Sequence, residues 1–190
     1  MPVAMAFGSL WIPVVVSAVA VFLVSSVLHM ALTYHKGDYK KLSKEDDVRA
    51  VLGKDAPAPG VYVLPYCTGP KQMQEPAMKE KYEKGPVAII TVLRSGLPQM
   101  PKILGLWFLF SLFVSFTAGY VARHTLQPGS DALLVMRITG AVAFAAYGMS
   151  NIIDSIWKGQ PWSNTARALF DGFVYAVTTG VTFRLLWPAA

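Results

Sequence analysis

Apolar residues fall along this chain in four long blocks, separated by polar stretches of unequal length. The first block runs over about 7–32, the second over 103–121, the third over about 133–153 and the fourth over about 168–187. A helix needs about 20 mostly apolar residues to cross a hydrocarbon core about 30 Å thick. Each block comes close to that length. The pattern therefore predicts a membrane all-α fold: four transmembrane helices, with a small α+β insertion between helices one and two. The expected division is helix one over 1–33, a soluble insertion over 34–102 and a three-helix region over 103–190. Helix one is read as retained rather than as a signal peptide. The residues before it hold no Lys or Arg, its apolar run is too long, and Ala18-Val19-Ala20 sits inside that run.

The insertion has its own pattern. Residues 43–53 predict a short helix, with Ser43 as its cap, an acidic first turn and Gly53 at its exit. Pro57 and Pro59 break that helix. Residues 61–64 predict a strand ended by Pro65. A second helix is expected over 76–84, with Pro76 at its first position and Gly85 stopping it. Residues 87–93 predict the second strand. Two strands make a marginal sheet alone, so this segment is expected to pack on something else.

Composition agrees with the blocks. Hydrophobic residues make up 54% of the chain and charged residues only 15%, well below the usual quarter. Charge sets an orientation. Of the seventeen Lys and Arg, twelve lie in 33–102, and Lys158 and Arg167 lie between the last two helices. These segments share one side of a four-helix topology. Positive residues favour the cytoplasmic side, so the long loop is expected in the cytoplasm and both termini outside. The net charge of +6 reads as attraction to an anionic leaflet. No nucleic-acid-binding motif accompanies it, so no nucleic-acid partner is expected.

Small residues recur at four-residue spacing. Ser111, Ser115 and Gly119 form one stripe, and Gly172, Ala176 and Gly180 form another. Ser17 and Ser25 share a face of helix one that ends at His29. Such stripes let helices approach closely and predict helix packing. Asp154, Lys158, Arg167 and Asp171 gather near the cytoplasmic ends of helices three and four. They predict an ion-pair cluster or, in the sharper reading, a transport site. Asp154 has Lys158 or Arg167 within reach, and Asp171 lies one turn from Arg167. Arg123, Arg137 and Arg184 fall near the other surface as candidate lipid or anion contacts. The five tryptophans, Trp11, Trp107, Trp157, Trp162 and Trp187, are expected as interfacial anchors.

Catalytic chemistry finds no motif. His29 and His35 belong to the inner face and His124 to the outer one, so the three cannot meet at one metal. No pair at matched depth suggests a haem. Cys67 is the only cysteine, which excludes an internal disulfide and any CxxC motif. Cys67, Met73 and Met78 offer soft ligands for copper(I), but at no recognised spacing. There is no P-loop, dinucleotide fingerprint, zincin motif or nucleophile elbow. No catalytic residue, metal or cofactor is expected.

The stretches LWIPVVVSAVAVFLVSSVLHM, APAPGVYVLPYC, GLWFLFSLFVSF, WKGQPWSN and FDGFVYAVTTGVTF follow one another over most of the chain. In these the sequence resembles a group of small bacterial inner-membrane proteins with no assigned function. The resemblance implies an inner-membrane location and carries over no site residue. The functional expectation is a non-enzymatic structural or accessory subunit, in a homo-oligomer or a larger membrane complex. The alternatives are a small transporter or channel using the polar stripes and Asp154/Asp171, and a cytoplasmic metal-handling or sensor module around Cys67.

Overall fold

The structure is a computed structural model and describes residues 7–189. The residues preceding the first apolar block, on which part of the retained-helix reading rests, lie outside those described. The chain forms two compact units. Among the described residues, one combines 7–39 with 99–189, and the other is Lys40–Pro98. The helical unit thus takes in residues 34–39, which the sequence pattern assigned to the insertion.

The helical unit holds α1 (Trp11–Ser26), α5 (Met100–Thr125), α6 (Ala132–Tyr147), α7 (Ile152–Lys158) and α8 (Trp162–Leu186). Helix α1 runs on through a π-helical turn, Val27–Ala31. A 3-10 turn, Met149–Asn151, joins α6 to α7. Among the described residues, four helical stretches are long and apolar enough to cross a membrane: Gly8–Ala31, Met100–Thr125, Ala132–Lys158 and Trp162–Leu186. The third runs to Lys158, beyond its expected end, and changes its winding after Gly148. Large apolar side chains such as Ile12, Leu23, Phe113 and Leu185 point outward from these helices.

The interior combines small and hydroxyl side chains, such as Ser17, Ser111, Ser115 and Thr139, with larger apolar ones, such as Val14, Val21, Val135 and Phe183. Helix α6 packs along α8, and α1 packs against both α5 and α8. On α8 the stripe Gly172, Ala176, Gly180 lies against α6. A Cβ on Gly172 would meet Gly148 Cα at 2.4 Å, and one on Gly180 would meet the Met136 carbonyl oxygen at 2.8 Å. The stripe therefore permits backbone-to-backbone approach. On α5, Ser111 and Ser115 are fully buried, and a Cβ on Gly119 would touch Phe183 and Val14 at 3.3 Å. Ser115 donates to Ser17 Oγ at 3.2 Å.

Trp107, expected as an interfacial anchor, turns inward from α5. It lies within α5, where its Nε1 donates to Ser25 Oγ at 2.8 Å. Its ring packs on Tyr147 and Tyr175 at centroid distances of 5.9 and 5.8 Å. An indole N–H in an apolar interior needs an acceptor, and Ser25 supplies it. Trp107→Phe keeps a ring and removes the donor. It should lower stability by about 0.6 kcal/mol, the average for hydrogen bonds between membrane helices. Thermal unfolding in detergent reads this as a small fall in midpoint, and a rise would contradict it.

The second unit is α2 (Glu45–Asp55), β1 (Gly60–Leu64), α3 (Pro70–Met73), α4 (Pro76–Lys84) and β2 (Ala88–Val92). The strands pair antiparallel, with Gly60 opposite Val92 and Leu64 opposite Ala88. Two local expectations fail here. Ser43 does not cap α2, which starts after Lys44 without a side-chain cap and runs past Gly53 to a left-handed exit at Ala56. The single turn α3 was not expected. Among this unit's described residues only Pro65 and Met78 are buried. Its own core is therefore small, as two strands with short helices dictate.

Candidate functional site

The site forms where α1 ends and the chain turns back onto α8. The π-helical turn at Val27–Ala31 carries His29; such turns recur at functional sites. The backbone then leaves the helix and makes a short 3-10 turn over Tyr34–Gly37. Two side chains of α8 hold this turn in place. Asn164 Nδ2 donates to the Asp38 carbonyl at 3.0 Å, and Arg167 Nη1 donates to Asp38 Oδ1 at 2.9 Å. Tyr34 also packs its ring edge-on against Phe170. The depth of α8 is fixed by the close contact of Gly172 with α6, which sets the position of its neighbour Asp171.

Asp171 is the centre of the cluster, and its side chain is 7% exposed. Its two oxygens have separate partners. Oδ1 accepts from the Tyr34 hydroxyl. Oδ2 lies 2.9 Å from His35 Nε2 and 3.9 Å from His29 Nε2. The Tyr34 hydroxyl pKa is pushed well above its ordinary value, first by burial and then by the adjacent Asp171 carboxylate. Tyr34 is therefore a neutral donor at physiological pH, and it leaves Asp171 with one oxygen directed at the histidines.

Both histidines use Nδ1 elsewhere. His29 Nδ1 donates to the Ser25 carbonyl at 3.1 Å, with the Tyr175 hydroxyl 3.5 Å away. His35 Nδ1 donates to Asp38 Oδ2 at 2.6 Å. In a neutral imidazole, a proton on Nδ1 leaves a lone pair on Nε2. His35 Nε2 is buried and has no hydrogen-bond partner. Its 2.9 Å approach to Asp171 is an ion-pair distance without hydrogen-bond direction. A buried lone pair facing a carboxylate oxygen is unfavourable unless a positive charge lies between them.

His29, His35 and Asp171 each place one ligand atom within 4.8 Å of the others. Two imidazole nitrogens and one carboxylate oxygen form a donor set suited to zinc or to non-haem iron(II). The carboxylate on the far nitrogen of His35 matches the outer-shell partner that orients a metal-bound histidine. The two rings stack with centroids 4.5 Å apart and 12° between planes. In-plane lone pairs of parallel rings do not meet at one point, so ion binding requires a ring to turn. The His29 side chain, 52% exposed, has that freedom; His35 is 19% exposed.

The charged group expected from the sequence is rearranged. Asp154 pairs with Lys158 at 2.7 Å. Arg167 pairs with Asp38, not with Asp171. Asp171, one turn along the same face of α8, meets Tyr34 and the histidines instead. The sequence does place His29 and His35 at one end, but it hides their meeting with Asp171. The run His29–His35–Asp38, with five residues and then two between its members, was the available signal. His124 stays apart and bonds to the Tyr120 carbonyl at 2.8 Å. Cys67 donates to the Gly69 carbonyl, and Met78 is buried within its own unit. Arg137 and Arg184 are exposed on the helical unit, and Arg123 is half-buried. Comparison with protein-family models, curated proteins and solved structures found no match.

Proposed function

We propose that this chain is a multi-pass membrane protein that holds a transition-metal ion at one end of its helical bundle. The ligands are His29 Nε2, His35 Nε2 and Asp171 Oδ2. One observation carries the reading: a buried, unpartnered His35 nitrogen facing a carboxylate oxygen, with a second imidazole beside both. Three protein ligands leave coordination positions open for water or substrate, the pattern of catalytic rather than closed structural sites. The donor set disfavours magnesium and calcium, which take oxygen ligands, and copper(I), which takes sulfur. The distribution of Lys and Arg supports a cytoplasmic position for this end of the bundle. An accessory role within a larger assembly is compatible with it, given the small core of the second unit.

A second reading has support in the same contacts. A proton on His35 Nε2 would make the cluster a structural ion pair that clamps the 34–38 turn to α8. Metal binding separates the two. Equilibrium dialysis of the full chain in detergent should show one Zn²⁺ or Co²⁺ per chain, with Mg²⁺ failing to compete. His35→Ala should weaken binding by about a hundredfold, at the upper end of or beyond outer-shell losses. Wild-type protein that takes up neither ion would leave the ion-pair clamp as the surviving explanation.

A further inference from the structure

The outer surface between α6 and α8 carries a groove of about 350 Å³, lined almost entirely by apolar atoms. Its floor is made by the small residues Gly140, Ala141 and Ala176. Phe144 and Phe173 close one end, edge to face, with centroids 6.4 Å apart. Arg137 lines it toward the start of α6, one turn from Leu133. It is exposed, and no acidic side chain among the described residues pairs with it. From Arg137 to Phe144 the groove follows about two helical turns, roughly 10 Å. Arg137 lies only five residues into α6, about 7 Å from the helix start. Its guanidinium is thus at the depth where a long cation reaches the headgroup layer.

We infer that this groove is a binding site for one anionic phospholipid, with its phosphate on Arg137 and the upper part of an acyl chain along Gly140 and Ala141. Charge decides the occupant. An uncompensated guanidinium at the mouth of a purely apolar slot matches a molecule that is anionic at one end and apolar along the rest. A guanidinium also meets phosphate oxygens through two parallel hydrogen bonds. A helix from a second copy would need a free acidic residue at this depth; Asp131, at this end of the bundle, is engaged in capping α6 through Leu133 N and Leu134 N, and Asp154 and Asp171 lie at the opposite end. The inference rests on the membrane part of the proposed function and is independent of the metal site.

Phosphatidylglycerol is the probe, with phosphatidylcholine as the zwitterionic control. Native mass spectrometry of the full chain, released from detergent, should show one phosphatidylglycerol retained and phosphatidylcholine lost. R137Q should lower retention about fivefold, in line with about 1 kcal/mol per basic residue at a membrane surface. Ala141→Phe should fill the groove and do the same. K102Q removes an exposed cation of α5 outside the groove and should leave retention unchanged. Unfolding midpoints of all three variants check that the bundle is intact. Equal losses in R137Q and K102Q, or equal retention of the two lipids, would overturn the site. A change in particle size in Ala141→Phe without loss of lipid would assign the groove to a second copy instead. Release of the protein from membranes by salt or alkali, without detergent, would defeat the membrane reading itself, separately from these outcomes.

Discussion

Gly172→Ala is expected to destabilise the helical bundle by about 3 kcal/mol, the upper end of the usual overpacking range. The added Cβ would sit 2.4 Å from Gly148 Cα and 2.5 Å from Gly148 N. Both are backbone atoms, so no side-chain rotation relieves the clash, and α8 must move away from α6. Gly148→Ala should cost less. Its nearest neighbour is the ring edge of Phe144, at 2.7 Å, and a ring can turn. Gly105→Ala meets nothing within 4 Å and should be neutral or slightly stabilising, since Ala is the better helix former. Unfolding midpoints in one detergent give the order Gly172, Gly148, Gly105. Equal effects at Gly172 and Gly105 would mean that α6 and α8 do not approach this closely. Because Asp171 adjoins Gly172, a bundle that tolerates Gly172→Ala only by shifting α8 should also bind metal less well.

Asp171→Ala should abolish metal binding, with a loss of more than about a hundredfold, because outer-shell partners alone are worth 10–100-fold. Asp171 is the only anionic ligand proposed, and its Oδ2 faces both histidines. Asp38→Asn should cost about 10–100-fold. It leaves the ligands in place but weakens the acceptor that keeps the His35 proton on Nδ1. Asp154→Asn breaks the exposed pair with Lys158 and should leave affinity unchanged. Dialysis with Zn²⁺ across the three variants reads the series. If Asp154→Asn weakened binding as much as Asp38→Asn, overall charge rather than ligand geometry would be responsible. Asp171→Ala should also loosen the metal-free protein slightly, since the half-buried Tyr34 hydroxyl loses its acceptor and a typical hydrogen bond contributes about 1 kcal/mol.

The sequence by itself determined the features that arise within one element. Four apolar runs of helical length are legible because crossing a bilayer is a demand on consecutive residues. The helix at Pro76–Lys84 is read correctly at both ends because Pro76 and Gly85 act on their own backbone. The Gly172, Ala176, Gly180 stripe is legible as a packing face because its spacing is that of the helix. Ser43 and Gly53 mislead, since a cap depends on a local backbone path that neighbouring residues can displace. Tertiary structure alone decided the site. Asp171 has Arg167 one turn away, and a one-dimensional reading pairs them. Folding instead brings the 34–38 turn back onto α8, where Asp38 takes the arginine and Asp171 is left to the histidines. That choice is made by where the 34–38 turn lies along α8: Asp38 meets Arg167, and Tyr34 and His35 meet Asp171 one turn further along. A side chain's partner across the bundle follows from that placement, and no local pattern in the sequence records it.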